Sequence, residues 1–252
     1  MIQEPFAAGS SCIHGLDPRF RIVSAFLFSM VVALAGEFLV LGIAFAISIL
    51  LVCMAGLHLK RVLKQLLSIL SFMLLIWLVL PFTYEGELLY RVGPLEITKP
   101  GVLLCARITI KSIAILLIFI SLVSTMTISA LGHALGRLHI PGKLVQLLLM
   151  TYRYIFVIEQ EYQRLTTAMK IRGFRSGTNI HSYRTYAYLI GMLFVRASIR
   201  AQRVQNAMLC RGFKGRFYSL IEYRASRGNR IFLMLMTGLI VLLIIMEIRL
   251  YG

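Results

Sequence analysis

The sequence predicts an all-α membrane protein: about five transmembrane helices, with a basic cytoplasmic helical domain inserted before the last span. Three observations predict it. Hydrophobic residues make up 59% of the 252, and mean hydropathy is +0.82. A soluble domain is roughly 45–50% apolar, and several apolar runs here are long enough to cross a bilayer. The chain carries 27 Lys and Arg against 10 Asp and Glu, a net charge of +17, and the excess is unevenly placed. Within the most basic stretch, one heptapeptide recurs with five of its seven residues identical. A basic balance alone fits nucleic acid, anionic lipid, an acidic protein partner or positive-inside topology, so its location has to decide.

Residues 1–21 are polar and end in Leu16-Asp17-Pro18-Arg19-Phe20-Arg21. Asp17-Pro18 suits a helix start with Pro at its first position, and the two arginines stand just before the first span, on the expected cytoplasmic side. Ile22 to Ala35 and Phe38 to Leu57 are apolar runs parted only by Gly36-Glu37, which predicts a tight helical hairpin. His58 to Gln65 contains Lys60, Arg61, Lys64 and no acid, so a cytoplasmic loop is expected. Leu66 to Phe82 is the third span, with Trp77 and Tyr84 as interfacial anchors. Tyr84 to Gly101 is the external loop, and its Gly, Pro and β-branched content permits a short hairpin. Val102 to Met126 is the fourth span; Arg107 and Lys111 lie one turn apart near its outer end, placed to snorkel or to face a partner.

Beyond Thr127 the chain changes character. Residues 127–230 hold most of the basic excess, opposed only by Glu159, Glu161 and Glu222. Pro141 opens a helix that runs to a first Arg-Gly, a polar link follows from Arg175 to Tyr183, and a second helix runs from about Arg184 to a second Arg-Gly. Both helices mix apolar and basic residues, as expected of helices lying along a membrane face. Ile231 to Ile248 is the fifth span. The division is thus 1–126 (N-terminal segment and spans one to four), 127–230 (basic domain) and 231–252 (fifth span and tail). It places the N-terminus inside and the C-terminus outside the cell membrane.

The repeat reads Ala168-Met169-Lys170-Ile171-Arg172-Gly173-Phe174 and, from Ala207, Ala207-Met208-Leu209-Cys210-Arg211-Gly212-Phe213. Gly173 and Gly212 suit the left-handed residue just past a helix end, with Met169 and Met208 at the position of a Schellman hydrophobic contact. That accounts for everything but the arginines. One cation at a helix C-terminus is ordinary; two matched copies on a membrane protein look like paired studs for a paired partner. The candidate site is therefore Arg172, Gly173, Arg211 and Gly212, with Ala168, Ala207, Met169 and Met208 beside them.

Other motifs carry less. Gly136 to Lys143 has five residues between its glycines and Leu144 after the lysine, so it is not a P-loop, which needs four and a Ser or Thr. Cys12, Cys53, Cys105 and Cys210 are scattered without a CxxC, which indicates neither a zinc site nor a disulfide framework. His133 and His139 lack ligand spacing for one helix face, and Cys12 with His14 is a weak pair, so no metal site is assigned. The spans hold no acid or histidine at mid-depth, which argues against ion-coupled carriage. No nucleophile–base pairing stands out. Tyr152, Tyr154, Tyr183, Tyr186 and Tyr188 interleave with arginine, but tyrosine is ordinary at a membrane surface. We assign no nucleic-acid partner and expect anionic lipid contact to be secondary.

Leu16-Asp17-Pro18-Arg19, Tyr152-Arg153-Tyr154 and the two Arg-Gly heptapeptides together resemble the CbiQ family, the transmembrane T components of energy-coupling factor (ECF) transporters for cobalt or nickel. The family's Ala-Arg-Gly triplets read Ile171-Arg172-Gly173 and Cys210-Arg211-Gly212 here, with alanine replaced in both. The resemblance implies a scaffold rather than an enzyme, with residues 127–230 as a coupling domain in a multi-pass protein of the inner (plasma) membrane. Two ABC-type ATPase subunits would bind the ATP and clamp the coupling helices, so this chain itself needs no cofactor. A substrate-binding S component, CbiM-like with or without a CbiN-like small subunit, would pack on the spans. Cobalt is the cargo it most directly implies, nickel or a vitamin the alternative. A membrane-anchored basic adaptor or a stand-alone channel remains as a rival reading, and neither explains the repeat.

Overall fold

The computed structural model describes residues 11, 15–57, 59–84, 88–92, 95–138, 140–214 and 227–251. In chain order the elements are α1 (Pro18–Leu34), α2 (Phe38–Met54), α3 (Leu59–Thr83), β1 (Leu88–Val92), β2 (Leu95–Thr98), α4 (Lys99–Leu122), α5 (Ile128–Arg137), α6 (Gly142–Ile171), α7 (Ile180–Cys210) and α8 (Arg227–Tyr251). The fold is an all-α membrane protein with one small antiparallel hairpin, β1–β2, in the loop whose composition permits it. The chain forms two compact units. One is Leu135–Glu222 with residues 1–3; the other is Glu4–Ala134 with Tyr223–Gly252.

The second unit contains five apolar helices. Three of them, α3, α4 and α8, are long and apolar enough to cross a membrane. Helices α1 and α2 have 17 residues each, about 25 Å at the α-helical rise, near the lower limit for a span. Helix α3 begins at Leu59, so Lys60, Arg61 and Lys64 lie in its first turns and not in a loop. Lys, Arg, Leu and Gln are good helix formers with nothing between them to break the helix. The link predicted up to Tyr183 is likewise shorter, because α7 starts at Ile180. Helix α5 is a further element that the sequence pattern did not announce.

Helix α4 is central. Its Ala114, Ile118 and Leu122 share one core with Ala25, Phe28 and Val32 of α1, Leu41 and Ala44 of α2, and Met236 and Leu243 of α8. Ala25, Ala44 and Ala114 are all but fully buried, and small residues at such faces let helices in a membrane approach closely. A smaller cluster of Val52, Val62, Leu117 and Ile120 joins α3. The rest of α3 presents Leu67, Phe72, Leu74, Leu75 and Leu78 outward, as a lipid-facing surface does.

Polar groups tie the helix ends. Around the C-terminal end of α1, the Gly36 N–H donates to Glu247 Oε1 (2.6 Å), Lys111 Nζ from the middle of α4 donates to the Ala33 carbonyl (3.0 Å), and the Arg107 guanidinium stacks over the Phe38 ring at 4.9 Å. At the N-terminus of α1, Asp17 caps the helix by accepting from the Arg19 N–H (3.1 Å), and Pro18 opens it. The Asp17 N–H donates to Asn229 Oδ1 (3.2 Å), and Arg21 donates to the Thr125 hydroxyl, which donates to the Ser121 carbonyl (2.7 Å). Arg21 is only 2% exposed.

Helix α4 also approaches α3 very closely. A Cβ on Gly101 would lie 2.8 Å from Thr98 Oγ1 and 3.1 Å from Pro81 Cα, whereas one on Gly42 of α2 meets nothing within 4 Å. Gly101→Ala is expected to lower stability by about 1–3 kcal/mol through overpacking. Gly42→Ala is expected to be neutral or to stabilise by up to about 1 kcal/mol. Thermal unfolding of the two variants in detergent checks both.

Candidate functional site

Helices α6 and α7 lack a core of their own. Helix α6 buries no residue, and α7 buries only Ser182 and Leu189. They are held as an antiparallel pair by one carboxylate. Glu161 of α6, its side chain 12% exposed, accepts a hydrogen bond from Arg196 of α7, with Arg200 Nη2 at 3.9 Å and Arg164 Nη1 at 3.7 Å. The Arg196 hydrogen bond, helped by the charges of all three guanidinium groups, holds Glu161 below the usual carboxylate range against partial desolvation. On one side of this crossing, Phe174 sets its ring edge against Tyr186 at 5.6 Å. On the other, Leu147, Met150 and Tyr154 face Val204, Met208 and Phe213 across an apolar groove of about 720 Å³.

Each helix ends in the same cap. In α6 the Gly173 N–H donates to the Lys170 carbonyl (3.0 Å) and the Phe174 N–H to the Met169 carbonyl (3.1 Å); in α7 the Gly212 N–H donates to Leu209 (3.0 Å) and the Phe213 N–H to Met208 (3.0 Å). These are the two bonds of a Schellman motif. Gly173 and Gly212 have φ of 80° and 75°, a backbone region that costs an L-residue about 1–2 kcal/mol, so glycine is required by the chain path. Arg172 and Arg211 are the C-cap residues. Both are exposed, and among the described residues neither has an ion-pair partner.

The eight predicted residues therefore form two similar tips, each with an exposed Ala, a half-buried Met, an exposed Arg and a left-handed Gly. The structure does not bring the tips together. Phe174 lies at the start of α7 and Phe213 at its end, so the arginines are separated by roughly 40 Å along that helix. The Glu161–Arg196–Arg200 clasp was not singled out from sequence. Its signal was present as Glu161 and Arg164 three residues apart, and Arg196 and Arg200 four apart, spacings that place each pair on one helix face. Among the described residues, no three His, Cys, Asp or Glu side chains converge as a metal site would require. His139, Cys12 and His14 lie outside the described residues.

The structure thus defines an all-α membrane protein that carries a basic helical hairpin with two matched, outward arginine tips. The CbiQ family, described as cobalt transport protein, matches residues 9–223, and the chain belongs to it. Similar proteins are each named energy-coupling factor transporter transmembrane protein EcfT. One from Leuconostoc gelidum subsp. gasicomitatum is 26% identical over 98% of this chain and 97% of its own length. Those of Bacillus subtilis and Listeria innocua are 28% and 30% identical, each over 85% of both chains.

The clasp makes hairpin pairing depend on pH with a definite sign. Because Glu161 is lowered in the folded chain, its contribution is present above the usual glutamate range and is lost as pH falls through the lowered value. Amide exchange of α7 in the full chain, taken relative to the intrinsic rate at each pH, should be slow above the usual glutamate range and quicken progressively as pH falls from there through the lowered value. Glu161→Gln should quicken it at neutral pH and remove the acid dependence.

Proposed function

We propose that this chain is the transmembrane scaffold, the T component, of an ATP-driven ECF importer in the inner membrane, with the N-terminus and the Leu135–Glu222 unit in the cytoplasm. Two ABC-type ATPase subunits each take one arginine tip, and a separate substrate-binding membrane subunit packs on the spans and on the apolar groove of α6 and α7. The chain performs no chemistry itself, and ATP is bound and split by the partners. The observation that carries this reading is the duplicated tip: the same cap, the same exposure and the same guanidinium without an ion-pair partner among the described residues occur twice, suiting two copies of one partner. The family membership and the names of the relatives support it.

A guanidinium can fork two hydrogen bonds to a carboxylate, which lysine cannot copy. In a partner's acidic groove, truncating one such residue costs roughly 2–5 kcal/mol, whereas a helix-end cation contributes only about 0.3–1 kcal/mol and lysine serves as well. Arg172→Ala or Arg211→Ala should each weaken ATPase binding. The double variant should abolish it while membrane insertion persists, and lysine should restore binding only in part. Co-purification of the ATPases with full-length variants measures this; normal recovery by the double alanine variant would reduce the tips to helix ends.

Five spans with the basic unit inside follow from charge placement. In a chain freed of its own cysteines, a cysteine at Arg91 should react with an impermeant reagent in intact cells and one at Asn179 should not.

Cobalt is the cargo the family description favours, with nickel or a vitamin as the second reading, since the relatives' printed names specify none. Cargo choice is assigned to the substrate-binding subunit.

A further inference from the structure

The buried polar knot at the start of α1 has a topological property that packing alone does not require. The chain leaves the membrane unit after Ala134 and rejoins it at Tyr223, and Thr125 and Asn229 lie on the two sides of that excursion. Those two residues bracket the whole excursion, and both are pinned to one helical turn. Arg21 holds the Thr125 hydroxyl across 104 residues of sequence, and the Asp17 N–H holds Asn229 Oδ1 across 212. All the parts are buried: Asp17, Arg21, Ser24, Ser121, Thr125 and Asn229. The Thr125 hydroxyl is used twice, accepting from Arg21 and donating to the Ser121 carbonyl of α4. Asp17 also caps α1, so its backbone position is fixed by the helix it starts.

We propose that Asp17 and Arg21 make the N-terminus of α1 the positioning device through which the Leu135–Glu222 unit drives the spans: a displacement of that unit, carried along the chain to Thr125 and Asn229, reaches α1 through Arg21 and Asp17. The inference rests on the coupling role given under Proposed function. It adds the residues that carry the motion across, and they belong neither to the arginine tips nor to the α6–α7 clasp. A packed core shared by α1, α4 and α8 would hold these helices together without the knot. The knot fixes in addition the two points at which the excursion is attached.

The test uses the full chain assembled with its ATPase pair in lipid nanodiscs, with amide exchange compared in the presence and absence of ATP. In the wild type, ATP should alter exchange in residues 142–210 and also in residues 18–24 and 229–236. Thr125→Val keeps the shape of the side chain but removes both hydrogen bonds. It should leave the ATP response of residues 142–210 intact and reduce that of residues 18–24 about fivefold or more, the lower end of usual coupling between sites. Thr125→Ser, which keeps the hydroxyl, should restore it, and Arg21→Lys should behave as Thr125→Val does. A wild-type response at α1 in Thr125→Val overturns the inference, as does a variant that merely fails to assemble while Thr125→Ser is normal, since the knot then only folds the unit. If the wild-type chain holds no ATPase, the coupling role falls and the inference with it. If the wild type binds ATPases and responds but Thr125→Val responds alike, the inference alone falls.

Discussion

A fully buried arginine is costly in any protein and more so in a membrane unit. Arg21 is tolerated because its surroundings are polar by construction: the Thr125 hydroxyl accepts from it, and Asp17, Ser24, Ser121 and Asn229 are buried nearby at the ends of three helices. Leaving a buried hydrogen-bonding group unsatisfied costs about 1–3 kcal/mol, and more for a charged one, so the meeting of α1 with the end of α4 at Arg21 and Thr125 favours closure of the unit. The apolar core behind it, centred on α4, sets how tightly the helices pack. The knot sets their register along the membrane normal. Hydrophobic contact between apolar helices in lipid has little directional preference of its own, so polar ends and small residues supply the specificity.

The α6–α7 hairpin solves the opposite problem. It has almost no buried side chains and is organised by an ionic clasp, Glu161 with Arg196 and Arg200, between two long helices. Much of its apolar surface, including Leu147, Tyr188, Ile190 and Phe194, remains exposed. Exposed apolar patches of this kind mark interaction surfaces. A hairpin built so is stiff along each helix and weakly held at its crossing. The tips themselves are rigid: two backbone hydrogen bonds and a left-handed glycine fix each arginine's Cα at the helix end, leaving only the side chain free to move.

The membrane class, the helix starts at Asp17-Pro18 and Pro141, the helix break at Gly36-Glu37 and both Arg-Gly helix ends were legible in the sequence; the tight hairpin expected at that break was not formed, because α1 and α2 each pack on α4 rather than on one another. Hydrophobic run length, proline, the N-cap carboxylate and glycine act within one or two turns, so a local reading captures them. Element edges were less legible where helix formers continue past the apolar run, as at Leu59 to Gln65, because propensity and hydrophobicity mark different boundaries. Both Schellman caps follow from local chemistry alone, which is why the eight tip residues could be named before any contact was known.

The long-range pairings came only from tertiary structure. Nothing local links Arg21 to Thr125, Asp17 to Asn229, Gly36 to Glu247 or Glu161 to Arg196. Each joins groups from different helices, and the identity of a partner for a buried charge depends on which helices become neighbours. Residue type did determine that the arginines of α6 and α7 are cations at two matched helix ends. Only the antiparallel pairing of α6 with α7 decided that those ends lie far apart, because the distance between them is set by the length of α7 and by the side on which the chain turns back.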